Sequence, residues 1–193
     1  MQIMLILAHP KKGSFNHAIA ERIHACIHQL GHSVWSHDLY EENFDAVYRF
    51  DHADQEDVLV QLHREQIRRC DGLIIVHPNW WGQPPAILKG WMDQVLVEDV
   101  AYGFDPDDNG SGVPTGLLHA EQALIINTSN TPLEREQSVF QDPLEMIWKN
   151  CVLYYCGIKN VERKVFRVIA DSTYEDRTAW LAEAENLVQQ YFK

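Results

Sequence analysis

The sequence predicts an α/β fold, a doubly wound sheet of five parallel strands in the order 2-1-3-4-5 with helices on both faces. Three observations predict it. Short apolar runs alternate with helix-period patterns along the whole chain. Two of those runs, QIMLIL (2–7) and GLIIVH (72–77), are almost uninterrupted, as parallel strands covered on both faces are. No repeat, low-complexity tract or linker breaks the alternation in 193 residues, a length that suits one domain, 1–193, with a full core.

Gln2 to Leu7 is the first strand. Ser14 opens the first helix, which the spacing of Phe15, Ala18, Ile19, Ile23, Cys26, Ile27 and Leu30 carries to Leu30, where Gly31 stops it. His32 to Leu39 alternates and is the second strand, and the period-free YEENFDAV after it is a loop that crosses the rim of the strand ends. Asp54 to Arg69 is a polar helix with one thin buried stripe of Val58, Leu59, Leu62 and Ile67. After the third strand, Gly72 to His77, Pro84 and Pro85 fit the first positions of a helix that buries Ile87, Leu88, Trp91, Val95 and Leu96. Asp99 to Ala120 is a turn-rich insertion, and Glu121 to Ile126 is the fourth strand. Thr131 with Glu134 makes a capping box for a helix running through Leu144, Ile147 and Val152 to Gly157. Arg163 to Ala170 is the fifth strand. Ser172 with Glu175 caps a last helix whose inner face is Trp180, Leu181, Ala184, Leu187, Val188 and Tyr191.

Composition narrows the class. A net charge of -12 argues against nucleic acid as a partner, because phosphate neutralisation needs clustered Lys and Arg. No run reaches the roughly 18 to 20 uncharged apolar residues of a membrane span, and the first residues lack a secretory pattern, so a cytoplasmic location is expected. Cys26, Cys70, Cys151 and Cys156 show no metal-type pairing and read as buried thiols in a reducing compartment. Asp105, Asp107, Asn109 and Gly110 match the opening of an EF-hand loop, but Gly116 stands where its bidentate Glu belongs, and no metal is expected.

The order 2-1-3-4-5 brings the carboxyl ends of strands one, three and four side by side, where such sheets bind ligands. Three polar turns leave those ends. AHPKKGSFN (8–16) joins a strand to a helix start, offering free NH groups, the helix dipole, a Ser14 hydroxyl and the charges of Lys11 and Lys12 to an anion. PNWWG (78–82) places Trp80 and Trp81 in a Gly- and Pro-rich turn, so at least one lines a cleft or an interface. Asn127, Thr128, Ser129 and Asn130 form the third turn. No G-x-G-x-x-G follows the first strand, no phosphate-loop motif occurs, and the strand ends carry His9-Pro10 and His77-Pro78 where a phosphoryl receiver needs carboxylates. Flavin remains, with a dianionic phosphate for the first turn and a flat ring for the other two.

AHPKKGSFN, HDLYEENF, WWGQPPAILKGWMDQVL with VAYGF after it, and the CGI at Cys156 resemble the flavodoxin-like NAD(P)H:quinone oxidoreductase family, which includes the ancillary oxidoreductases of bacterial potassium efflux systems. The likeness covers nearly the whole chain. It implies a flavodoxin-like fold, a homodimer, FMN, hydride uptake from NADH or NADPH, and delivery of two electrons to a quinone or similar small acceptor. It implies flavin contacts from His9, Ser14, Phe15 and Asn16 on the phosphate side, from Pro78, Asn79, Trp80 and Trp81 against the ring, and from Asn127, Thr128, Ser129 and Asn130 on the far edge. The 127–131 turn and the helix N-terminus after it suit negative charge on the reduced ring.

The chemistry resides on the flavin, so no catalytic side chain is assigned. Trp81, Asn130 and the YEENF loop are expected to shape the acceptor pocket, with Tyr102 or Phe104 reaching it from a partner subunit. The chain departs from the family at Thr128-Ser129-Asn130, where Thr-Gly-Gly is common. Pro132 and Ser138 fall where the mammalian enzymes place a Tyr and a His, so that relay is not carried over. The long C-terminal extension of those enzymes is missing, which favours FMN over FAD. Two other readings stay open: a flavodoxin-type electron carrier, and a regulatory subunit peripherally associated with a membrane cation transporter.

Overall fold

The computed structural model describes residues 1–49, 57–104 and 112–193. In chain order its first half holds β1 (Gln2–Leu7), α1 (Phe15–Gln29), β2 (Ser33–Asp38), α2 (Val58–Arg69), β3 (Gly72–Pro78) and α3 (Ala86–Val95). The second half holds β4 (Tyr102–Gly103), β5 (Thr115–Gly116), β6 (Gln122–Ser129), α4 (Leu133–Arg135), α5 (Pro143–Met146), β7 (Asn160–Arg167) and α6 (Tyr174–Tyr191). Five strands form one parallel sheet in the order β2-β1-β3-β6-β7. That is the predicted 2-1-3-4-5 once the small antiparallel pair β4-β5 inside the insertion is set aside.

Strand alternation divides the core in two. Met4, Ile6, Leu73, Ile75, Ala123 and Ile125 pack with Trp91 of α3 and with Leu144 and Trp148. Ile3, Leu5, Ile74, Val76, Leu124 and Ile126 pack against α1 and α6 through Ile19, Ile23, Ile27, Ala184 and Val188. Both faces are covered, which is why these strands read as continuous apolar runs. Each large aliphatic side chain buried this way contributes about 1.5–3 kcal/mol. No helix among the described residues is long and apolar enough to cross a membrane.

Several boundaries differ from the sequence expectation, each for a local reason. β6 does not stop at Ile126: Asn127 and Thr128 stay in register with His77 and Pro78, and Ser129 with Arg167, because neighbours on both sides extend the ladder. β7 begins three residues earlier than predicted, with Asn160 opposite Gln122, and ends where Val168 turns into the left-handed region at φ 60°. The helix predicted from Thr131 to Gly157 is broken. Pro132 stands at the cap of α4 with no capping bond, and Gln141 (φ 60°) and Asp142 (φ 44°) interrupt the path before α5. Residues Glu136–Phe140 and Ile147–Leu153 are wound as π turns.

The last helix is capped one residue later than expected, by Thr173 and Asp176 in a reciprocal capping box. On α2, Val58 and Leu62 are exposed while Val60, His63 and Ile67 are buried, because His63 bonds to Trp91 across the helix pair. Residues 54–56 of that predicted helix, and the EF-hand-like Asp105 to Gly110, lie outside the described residues. Cys151 is exposed, unlike the three buried thiols, and all four cysteines are free. Gly90 of the PAILKGW segment is required by packing: a Cβ there would lie 2.2 Å from the Ala46 carbonyl oxygen.

Candidate active site

The sheet register brings the ends of β1, β3 and β6 together: Ala8 N donates to Val76 O (3.0 Å), and Asn79 N to Thr128 O (2.7 Å). Above these ends lies a cavity of about 460 Å³, within the range of small-molecule and cofactor clefts. His9, Ser14, Phe15 and Asn16 line it from the first turn, Pro78, Asn79 and Trp80 from the second, and Thr128, Ser129 and Asn130 from the third. Ten of the twelve predicted site residues therefore share one wall system. Trp81 lines an adjoining cavity of about 510 Å³ with Gly82, Phe140 and Pro143. Asn127 is fully buried beneath the crevice and does not face it.

Sequence reasoning missed Ile169 and Arg177 as lining residues, while Gly13 and Thr131 line the cavity from within the expected first and third turns. Arg177 comes from α6, where periodicity signals only packing, and its guanidinium is held by Ser172 and the Ile169 carbonyl. Lys11 lines the cavity, whereas Lys12 turns away to Glu41 (2.7 Å). The YEENF loop is not on the rim: Phe44 stacks on His63, and Glu42 points inward to His37 and His63. Tyr102 packs edge-on against Tyr155 and Phe104 of its own chain. A concavity of about 530 Å³ against α2 is larger, but charged surface residues such as Arg64, Glu65 and Arg68 line it, away from the strand ends.

Each turn is held by its own polar side chains. Ser14 caps α1, accepting from His17 N, so first-turn NH groups such as those of Phe15 and Asn16 have no intrahelical acceptor. Asn16, almost fully buried, exchanges hydrogen bonds with Thr128 Oγ1 (2.9 and 3.3 Å), tying the first turn to the third. His9 Nδ1 faces the Lys11 backbone, 3.1 Å from its N and 3.3 Å from its O, and burial lowers the pKa of the ring. Its ring faces Trp80 at 6.3 Å. Asn79 holds the second turn, accepting from Gly82 N (3.0 Å) and donating to the buried Glu136 (3.2 Å). Ser129 Oγ accepts from Thr131 N in place of the expected capping box, and Asn130 Oδ1 accepts from Ala170 N. α4 runs directly into the π-wound stretch Glu136–Phe140, so a helix start does follow the third turn, with Pro132 at its cap and no side-chain capping bond.

Beneath the crevice His77 is completely buried. Asn127 Nδ2 (2.7 Å) and the Trp148 indole NH (2.9 Å) both donate to its Nε2, so its proton sits on Nδ1 and is donated to the Pro78 carbonyl (2.8 Å). Burial pushes its pKa down to about 3, and it is neutral. Arg163 donates to Asn127 (2.6 Å), Asp142 and Glu145, completing a fixed layer under the second and third turns.

His37, Glu42 and His63 lie close enough to suggest a metal centre. The donor set argues otherwise. Trp91 Nε1 donates to His63 Nδ1 (2.8 Å), so His63 must carry its proton on Nε2, the atom 3.4 Å from Glu42 Oε2. A protonated nitrogen has no lone pair for a metal. Burial alone would raise the Glu42 pKa, but hydrogen bonds from His37 and His63 outweigh it and bring the carboxyl to about 2. The cluster clamps the loop after β2 onto α2.

Strained backbone surrounds the two cavities. Trp81 (φ 58°), Gln141, Asp142 and Val168 all sit in the left-handed region beside lining residues, a conformation costly for a bulky or β-branched side chain.

A family model described as the flavodoxin-like fold matches residues 1–191. An uncharacterized NAD(P)H oxidoreductase of Haemophilus influenzae is 34% identical over 175 residues, covering 86% of this chain and 83% of that protein. Human ribosyldihydronicotinamide dehydrogenase (quinone) is 24% identical over 218 residues, covering 100% of this chain and 92% of that protein. Among solved structures, an FMN-dependent NADH-azoreductase from Bacillus anthracis, in complex with FMN, superposes with a TM-score of 0.79 over 100% of both chains at 15% identity, a likeness of fold.

Proposed function

This chain belongs to the flavodoxin-like fold family, and from that premise we propose that it is an NAD(P)H-dependent oxidoreductase that uses FMN to reduce a quinone or similar small acceptor. The names of the Haemophilus and human relatives support the activity class, and the Bacillus structure supports FMN. The observation that carries the reading is the meeting of three turns, from β1, β3 and β6, around one cavity at the first turn of α1.

The residues present fit FMN. The NH groups of the first turn, Ser14, Lys11 and Arg177 suit a phosphate. Pro78, Asn79 and Trp80 offer a wall for the ring, and Thr128, Ser129 and Asn130 its opposite edge. FMN, when bound, supplies the acceptance of a hydride and its onward transfer as two electrons. The chain's own task is positional: the Asn16–Thr128 pair and the His77 layer keep the three turns at fixed separation. Trp81, fully exposed and beside the second cavity, is a candidate to meet the acceptor or a second copy of the chain in a homodimer. Buried free thiols accord with a reducing, cytoplasmic location.

An absorbance spectrum of the purified protein, followed under nitrogen on addition of NADPH or NADH and then of a quinone, tests this. A yellow protein that bleaches and recovers is expected. A yellow protein that no nicotinamide bleaches is an electron carrier, and a colourless one that refuses FMN overturns the proposal.

A further inference from the structure

We infer that binding of a phosphate dianion at the first turn of α1 is coupled to uptake of one proton by His17, which redirects the Ser14 hydroxyl from the protein to the ligand. The inference rests on the reading of this turn as the flavin phosphate site, and concerns how that site works.

Ser14 Oγ lies 2.8 Å from His17 Nδ1, and His17 Nε2 lies 3.1 Å from Asp38 Oδ2. The His17 and Asp38 side chains are only 12% and 15% exposed. Asp38 Oδ1 accepts from Tyr40 N (3.1 Å) and Glu41 N (3.3 Å), which fixes the carboxylate and leaves Oδ2 for the imidazole. A carboxylate only accepts, so Nε2 carries a proton. In neutral His17 the lone pair is then on Nδ1, and the Ser14 hydroxyl must donate to it. That hydroxyl has a single proton, while its oxygen already accepts from His17 N. Ser14 thus presents only lone pairs to the cavity it lines. An anion placed there meets repulsion.

One proton from solvent on Nδ1 reverses the bond. Nδ1–H then donates to Ser14 Oγ, and the hydroxyl proton is released to donate to a phosphate oxygen. No covalent bond changes, and the new charge on the ring lies between the ligand dianion and Asp38, both of which favour it. Rotating the hydroxyl without this proton would leave Nδ1 unpartnered in a half-buried site. The other charged or titratable groups facing the ring are His9, edge-on at 6.2 Å, Glu41 paired with Lys12, and Lys11. His9 Nδ1 is turned to the Lys11 backbone, 3.1 Å from its N and 3.3 Å from its O.

The test is nitrogen NMR of the protein labelled in histidine, at about pH 8, where a phosphate monoester is already a dianion. The flavin-free protein is titrated with FMN and, separately, with sulfate, which has no ionisation in this range. His17 is expected to show a bare Nδ1 when free and two protonated nitrogens when either ligand is bound. The affinity for FMN is expected to weaken as pH rises, by up to about tenfold per unit, and His17→Gln to bind FMN with no such slope. FMN bound with Nδ1 still bare overturns the inference and leaves the flavin reading intact. Ring protonation by sulfate in a protein that refuses FMN upholds the proton-coupled anion site and removes the flavin. Failure of both ligands to bind removes both.

Discussion

His77 and His17 serve the same strand ends and differ in what surrounds them. His77 is ringed by groups with no choice: an indole NH and an amide that donate, and a backbone carbonyl that accepts. Its protonation state is locked, and with it the position of the β3 turn. His17 sits between a hydroxyl and a carboxylate, and a hydroxyl can reverse its role. The contrast shows how one residue type makes either a rigid spacer or an adjustable contact, according to whether its partners can exchange donor for acceptor.

The largest effect should come from breaking the rigid member. His77→Ala leaves the Trp148 indole and the Asn127 amide buried without their acceptor and opens a cavity, a loss of about 3–5 kcal/mol by urea unfolding, with weakened FMN binding. Unchanged stability would mean that the buried layer is not a support. Acid sharpens the same point. Because the folded-state pKa of His77 is about 3, below its ordinary value of 6.5, its stabilisation is complete above about pH 6.5 and drains away as pH falls towards 3. Between pH 6.5 and 4.5 the loss from this residue should reach roughly 2–3 kcal/mol. His77→Gln should remove that part of the slope in urea melts across this range. His63, whose pKa burial also lowers, adds a loss of the same sign, while Glu42 enters only below about pH 4.5.

Smaller effects concern the front of the crevice. Asn16→Ala deletes the reciprocal bond to Thr128 and should cost about 1–2 kcal/mol and roughly tenfold in FMN affinity, readable by melting and flavin fluorescence. Trp81→Gly relieves a left-handed residue whose side chain is fully exposed. It should raise stability by about 1 kcal/mol while slowing turnover with a bulky quinone.

Much of this architecture was legible in the sequence because parallel strands buried on both faces announce themselves as apolar runs. Where polar residues continue a strand, as Asn127 and Thr128 do, the pattern turns silent: their side chains are satisfied by His77, Arg163 and Asn16 from elements distant in sequence. For the same reason Asn127 resembled a rim residue and proved to be a support. The broken path from Thr131 to Gly157 was hidden because Gln141 and Asp142 adopt a backbone that their identities only weakly favour. Arg177 lay in a helix whose sequence speaks only of packing, and the Ser14–His17–Asp38 chain joins α1 to β2 through contacts that no spacing encodes.

The central claim is that the three turns form one seat for a phosphate-tailed flavin. Comparing FMN with riboflavin, which has the same ring and no phosphate, tests it most directly by quenching of flavin fluorescence in the flavin-free protein. One FMN per chain is expected, with riboflavin bound about a hundredfold more weakly, the loss of a few charge-assisted hydrogen bonds. Equal affinity for the two, or binding of neither, would contradict the account.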